Sequence, residues 1–182
     1  MDKGYESYRR FLAGDKKGLV EIMELYSDSL AAFICGIVHD EHVAEDLMQD
    51  TYLELIIKES SFRGESQFKT WLFKVARNKA IDHIRRNRRM IPVDESFVFL
   101  PDADFSVERK TEDYERRKAV YSAMSEIKPL YAQVLYLSFY EDLSNGEIAS
   151  VIGKSNRQVE MLIYRAKDSL KKALEKEGFD CE

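Results

Sequence analysis

SFRGESQFKTWLFKVARNKAIDHIRRNRR, residues Ser61–Arg89, combines two surfaces in one helical stretch. On a helical wheel Phe68, Leu72, Phe73, Ala76, Ala80 and Ile84 fall on one arc, the spacing of a stripe that faces a core. Trp71, Lys74, Asn78 and Arg85 fall on another arc, with Asp82 beside them. From Lys69 to Arg89 the cations are Lys69, Lys74, Arg77, Lys79, Arg85, Arg86, Arg88 and Arg89, and the only acid is Asp82. The whole chain of 182 residues is formally −5 at pH 7, so this segment opposes the charge of the protein that carries it. Positive charge concentrated in this way points to a polyanion. An aromatic ring among cations is the composition of a surface that stacks a base and holds the backbone beside it. The alternative is a solvated basic helix whose one Trp is half-buried core.

Upstream the pattern is helical. Residues 4–13 predict a short helix ending at Gly14. A long one follows from about Lys16 to Val38, with Leu19, Ile22, Met23, Tyr26, Leu30, Phe33, Ile34 and Ile37 at helical spacing. Asp40 is placed to cap a third helix over about 41–59. Its core arc holds Val43, Ala44, Leu47, Met48, Tyr52 and Leu55, and the opposite side carries Asp46, Gln49 and Asp50 together with Leu53 and Ile57. Acids alone would make a solvated face. Two large aliphatics among them would lie in water, which favours a docking surface for a partner. In the loop 60–67, Gly64 relieves backbone strain and Ser66 is placed to cap the basic helix. Phe62 and Arg63 sit where no core needs them and are expected to line a small pocket.

Downstream the character reverses. MIPVDESFVFLPDADFSVERKT, residues 90–111, holds two of the three prolines, no clear period, and the acids Asp94, Glu95, Asp102, Asp104 and Glu108. It reads as an acidic linker between two small helical domains, 1–89 and 112–182, giving an all-α chain. The second domain opens with a helix over about 111–126, and Pro129 starts another that is apolar almost all round. Two capping-box spacings follow, Ser144 with Glu147 and Ser155 with Gln158, separated by a turn at Gly153-Lys154. That is a helix-turn-helix. Its second helix is expected to bury Val159, Ile163, Ala166, Leu170 and Ala173. It would expose Arg157, Gln158, Met161, Tyr164, Arg165 and Lys172, with Ser155 and Asn156 at its start. Such a face suits base reading and phosphate holding, although a hairpin used for protein contact has the same pattern.

Composition narrows the remaining classes. No apolar run approaches the ~20 residues of a membrane span, and MDKGYESYRR lacks the shape of a signal peptide, so a cytoplasmic protein is expected. Cys35, His39 and His42 lack a fourth metal ligand and read as a core thiol and turn histidines; no metal or other cofactor is expected. Without a Gly-rich phosphate loop or a nucleophile elbow, an enzyme is not expected.

AEDLMQDTYLELI (Ala44–Ile56), followed by FRGESQFKTWLFKVARNKAIDHIRR (Phe62–Arg86), resembles the second conserved region of bacterial sigma-70-family factors, and the terminal helix-turn-helix resembles their fourth. With only a short linker between, the arrangement is similar to the small extracytoplasmic-function (ECF) group. The resemblance implies a non-catalytic subunit that binds core RNA polymerase and directs it to promoters. It places Asp46, Gln49, Asp50, Leu53 and Ile57 against the clamp helices of the beta-prime subunit. It places Phe62, Arg63, Ser66, Phe68, Lys69 and Trp71 around the unpaired −10 strand, with Lys74, Arg77, Asn78, Arg85 and Arg86 on its phosphates. The second domain would read the duplex −35 element and touch the beta flap, and an anti-sigma partner is implied. One departure stands out. Where the family often has Thr-Val-Lys-Ser-Arg-Leu after a small residue, this chain has Arg157 and then Gln158-Val159-Glu160-Met161-Leu162-Ile163, so the −35 sequence does not follow from the family. A dimeric helix-turn-helix regulator would explain the second domain alone, and a protein-only adaptor would leave the basic segment without a role.

Overall fold

The structure, a computed structural model, describes residues 2–57, 62, 64, 66–87, 119–120, 122–176 and 178. The described residues form helices and connecting turns, with no strand among them. In chain order the helices are α1 (Lys3–Leu12), α2 (Lys17–Val38), α3 (Glu41–Ile57), α4 (Phe68–Asn87), α5 (Pro129–Phe139), α6 (Asn145–Ile152) and α7 (Asn156–Lys176). Residues 119–120 and 122–126 are also helical. The stretch read as the acidic linker lies outside the described residues.

Helices α1–α4 form the first module. Tyr8, Ile22, Leu30, Phe33, Ile34, Leu55, Phe68, Leu72 and Phe73 are fully enclosed, each such side chain contributing about 1.5–3 kcal/mol relative to exposure. The apolar arcs of α3 and α4 face inward as their spacing requires, with Thr51 buried by bonding back to the Leu47 carbonyl (2.8 Å). Met23, expected in the stripe of α2, is 40% exposed instead. The α2–α3 corner is built by His39, whose left-handed backbone (φ 61°) ends α2 while its N–H donates to the Cys35 carbonyl. Asp40 then caps α3 by accepting from the Val43 N–H at 3.0 Å. Cys35 is a core thiol, its pKa pushed up to about 11 by burial, with Glu41 and Asp40 adding to the shift.

The second module is organised on α5, started by Pro129. Six consecutive residues, Ala132–Leu137, are buried, because α7 and α6 cover one side and α2 of the first module meets the other. The two modules thus share an interface. The Tyr136 ring stacks on Phe33 at 5.5 Å and its hydroxyl donates to the Ser29 carbonyl at 3.0 Å. Helix α6 lies against α4.

Helices α1 and α2 approach so closely at Gly18 that a methyl group has no room. A Cβ there would fall on the Ser7 carbonyl oxygen and lie 2.8 Å from the Phe11 nitrogen, both backbone atoms. Gly18→Ala should therefore cost about 1–3 kcal/mol in urea unfolding. Gly146→Ala, with nothing within 4 Å of the new methyl, should be neutral or stabilising by up to about 1 kcal/mol.

Candidate nucleic-acid and protein interfaces

The aromatic part of the basic helix is assembled from three stretches of sequence: α1, the residue Phe62 before α4, and α4 itself. Trp71 is partly buried, its ring 5.6 Å from Phe62 and 5.9 Å from Phe68. Phe62 also meets Tyr5 edge-on at 5.6 Å and Tyr8 at 6.1 Å. Phe62 is therefore core, 9% exposed, and not the wall of an open loop pocket. Distant rings supplied by α1 enclose it. Phe68 is fully enclosed as well, so it supports the surface from below and offers none of its own. Arg63 lies outside the described residues. Ser66 is exposed and its hydroxyl donates to the Gln67 carbonyl at 3.2 Å, so it does not cap α4. The capping acceptor is the Asp2 carboxylate, which takes the Phe68 N–H at 2.7 Å.

The cations divide into engaged and available groups. Lys69 is 2.7 Å from the Glu141 carboxylate and also donates to the Glu141 carbonyl at 2.8 Å. Arg77 donates from Nε to Gln133 at 2.9 Å, and burial, with the charge of Arg85 adding, lowers its pKa. Lys79 pairs with Glu54 at 3.0 Å. In this arrangement Lys69 and Arg77, read from sequence as strand contacts, hold the second module. Lys74, Asn78, Arg85 and Arg86 are exposed. Arg85 has only a loose contact to Asp82 at 3.6 Å, both side chains well solvated, and among the described residues Lys74 and Arg86 have no ion-pair partner.

On α3 the second surface is as its sequence requires. Asp46, Gln49 and Asp50 are exposed, and so are Leu53 (48%) and Ile57 (77%). Ile56, at 40%, extends the apolar part: three residues after Leu53 and seven after Gln49, it borders the same face. A crevice of about 450 Å³ between α3 and α4 is lined by Asp50, Glu54, Asn78, Lys79 and Arg86 among others. The acidic face reaches this cleft through Asp50, and the cationic face through Asn78 and Arg86.

The helix-turn-helix is α6 and α7 joined through Gly153 in the left-handed conformation (φ 68°). Ser144 and Glu147 complete one capping box. Ser155 and Gln158 complete the other, with Ser155 N–H donating to Gln158 Oε1 (2.9 Å) and Gln158 N–H to Ser155 Oγ (3.3 Å). Val159, Ala166 and Ala173 are buried, with Ile163 and Leu170 partly so. Ser155, Asn156, Arg157, Gln158, Met161, Tyr164 and Arg165 form the exposed side, Tyr164 at 77%. Lys172 is paired with Asp168 (2.7 Å). Lys167, which the sequence reading passed over, lies over the exposed Phe139 ring at 5.1 Å.

A helical module with an aromatic and cationic helix, followed by a helix-turn-helix, defines a two-part nucleic-acid-binding protein. Residues 22–90 match sigma-70 region 2, and residues 117–170 match sigma-70 region 4. The chain belongs to the sigma-70 family, in its ECF group. Its function is promoter recognition and transcription initiation through RNA polymerase. Among its relatives, the ECF RNA polymerase sigma factor SigM of Bacillus subtilis is 28% identical over 151 residues, 83% of this chain and 91% of the relative. The RNA polymerase sigma-H factor of Pseudomonas aeruginosa is 29% identical over 186 residues, 96% of this chain and 95% of the relative. Two solved structures share the fold. The sigma factor RpoE of Bartonella quintana, in complex with the anti-sigma factor NepR, superposes with a TM-score of 0.67 at 22% identity over 87% of this chain and 98% of that one. CnrH, in complex with the cytosolic domain of CnrY, gives 0.68 at 20% identity over 96% and 99%.

The seam between the modules carries a titratable tie. Glu147 accepts from Thr70 at 3.2 Å and closes its own capping box. Partial burial opposes its ionisation, but the bonds from Ser144 and Thr70 and the charge of Lys69 outweigh it, and the carboxyl lies below its ordinary range. A lowered folded-state value means the contribution is complete above the ordinary glutamate range and is lost as pH falls through the lowered value. Glu147→Gln should accordingly reduce the acid-induced fall in melting temperature between about pH 5 and pH 3. Parallel melting curves for the two proteins across that range would count against this tie.

Proposed function

We propose that the faces of α3 and α4 act as a divided interface. Asp46, Gln49, Asp50, Leu53 and Ile57 dock on the clamp helices of beta-prime, and Trp71 with Lys74, Asn78, Arg85 and Arg86 holds the unpaired −10 strand. The observation that carries this reading is the shared cleft: two exposed surfaces of opposite charge lie on adjacent helices. One would meet the enzyme and the other the strand that the enzyme opens. Residues 1–89 and 112–182 serve as the polymerase and −10 module and the −35 module, with 90–111 as linker. Arg157, Met161, Tyr164 and Arg165 face the −35 duplex, and the beta flap meets the second module. The factor is non-catalytic and cytoplasmic. An anti-sigma protein is proposed as a further partner, since one solved neighbour, the sigma factor RpoE, was captured with an anti-sigma factor.

Magnitudes constrain the mechanism. Unpairing and unstacking a base costs a few kcal/mol, and one aromatic stacking contact returns about 1–3 kcal/mol. A single Trp71 platform therefore traps bases that have already left the duplex and does not open it alone. Lys69 and Arg77 join the strand contacts only after Glu141 and Gln133 release them, which links strand capture to separation of the modules.

Trp71→Ala should impair open-complex formation while leaving core-polymerase affinity intact, and Asp46→Ala with Gln49→Ala should do the reverse. Permanganate footprinting and a binding titration with core enzyme separate these defects; the same defect from both variants would mean the faces are wrongly assigned. Arg157→Ala should change −35 preference by about 1–3 kcal/mol at one base position, read by run-off transcription on a promoter library. Gln158 is a poorer probe because its removal also opens the capping box.

A further inference from the structure

We propose that the first turn of α1, through Asp2, positions the strand-capturing surface of α4. The proposal rests on the reading of Trp71 as a stacking platform. Asp2 Oδ1 accepts from the N–H groups of Gly4 (3.1 Å) and Tyr5 (3.3 Å), capping α1. Its Oδ2 accepts from Phe68 (2.7 Å), at the first turn of α4. One carboxylate therefore serves two helix N-termini, each of which favours a negative charge. The two first turns are pinned together, and Ser66, the expected local acceptor, instead donates its hydroxyl to the Gln67 carbonyl.

Packing around this joint leads to Trp71. Gly4 is needed for the approach, because a Cβ there would collide with the Tyr26 hydroxyl and lie 2.8 Å from Phe68 Cδ1. Tyr5 and Tyr8 hold the ring of Phe62, and Tyr8 lies 5.1 Å from Phe68. Phe62 and Phe68 are in turn the rings that flank Trp71. Asp2 thus acts on the platform through the backbone of Phe68 and the aromatic rings behind it. The region-2 match begins at residue 22, so α1 lies outside the segment that family membership accounts for. Asp2 is a positioning residue: it touches no strand itself.

The test uses the full chain with core RNA polymerase and a fluorescein-labelled single-stranded oligonucleotide selected from a random pool by the wild-type holoenzyme. Asp2→Ala is compared with Asp40→Ala, which removes an equivalent cap from α3 away from the platform. With core-polymerase affinity equal, Asp2→Ala should weaken strand binding about five-fold more than Asp40→Ala, the size of one lost cap. Asp2→Asn, which keeps an acceptor but not the charge, should fall between. In the free factor Trp71 is the only Trp, and its emission should shift to the red in Asp2→Ala and not in Asp40→Ala. Tyr5→Ala keeps the cap and removes the ring against Phe62, and it should weaken strand binding in the same direction even if Asp2→Ala does not fold. Wild-type strand affinity in Asp2→Ala, or in Tyr5→Ala, or equal losses in Asp2→Ala and Asp40→Ala, would overturn the inference while leaving the strand-capture reading in place. Failure of the wild-type holoenzyme to select any strand would overturn both.

Discussion

The ring of Phe33 sits where three helices and both modules meet. It is fully enclosed, 5.4 Å from Phe73 of α4 and 5.5 Å from Tyr136 of α5. An aromatic ring in such a position loses much of its stabilisation if either neighbour withdraws, since contacts across a gap fall off steeply. The first module is therefore not indifferent to the second. Tyr136, which also stacks on Tyr140 at 5.3 Å, presents to α2 a face that would otherwise be wet.

Around that apolar joint the seam is polar and directional. Glu141 is only 6% exposed and its pairing with Lys69 places both charges in a poorly solvated place. Such a pair adds little net stability but resists the loss of one partner, because the charge left behind would be buried alone. Thr70, fully buried, has its hydroxyl on Glu147, and Arg77 has its guanidinium on Gln133. These ties fix the relative rotation of the modules more than they hold them together. Separation is then a matter of replacing four or so specific partners, and phosphates or a protein surface of matching charge could supply them.

What could be read from sequence follows from how local each feature is. Helix ends marked by Asp40, by Ser144 with Glu147, and by Ser155 with Gln158 formed as their spacing required, since a cap involves only residues three apart. The exposed Leu53 and Ile57 were legible for the same reason, as one helix sets its own faces. Phe62 was misread because Tyr5 and Tyr8, more than fifty residues away in sequence, make its environment. The cap of α4 was missed because Asp2 supplies it from 66 positions away. Lys69 and Arg77 looked free because periodicity describes a helix and not the module that will later lie across it. In each case the missing information was tertiary, and no local pattern could carry it.

The capping box at the start of α7 has an outcome for what that helix is able to recognise. The amide oxygen of Gln158 is held back toward the Ser155 N–H, so the end of the amide turned away from the cap is its NH₂, which only donates. A glutamine free to turn pairs with adenine through both ends of its amide, whereas one fixed in this way meets any acceptor on a major-groove edge, on purine or thymine alike. On the proposed reading of this face as the −35 contact, the stop that begins the helix makes Gln158 a permissive donor, and the sharper discrimination falls to its neighbours.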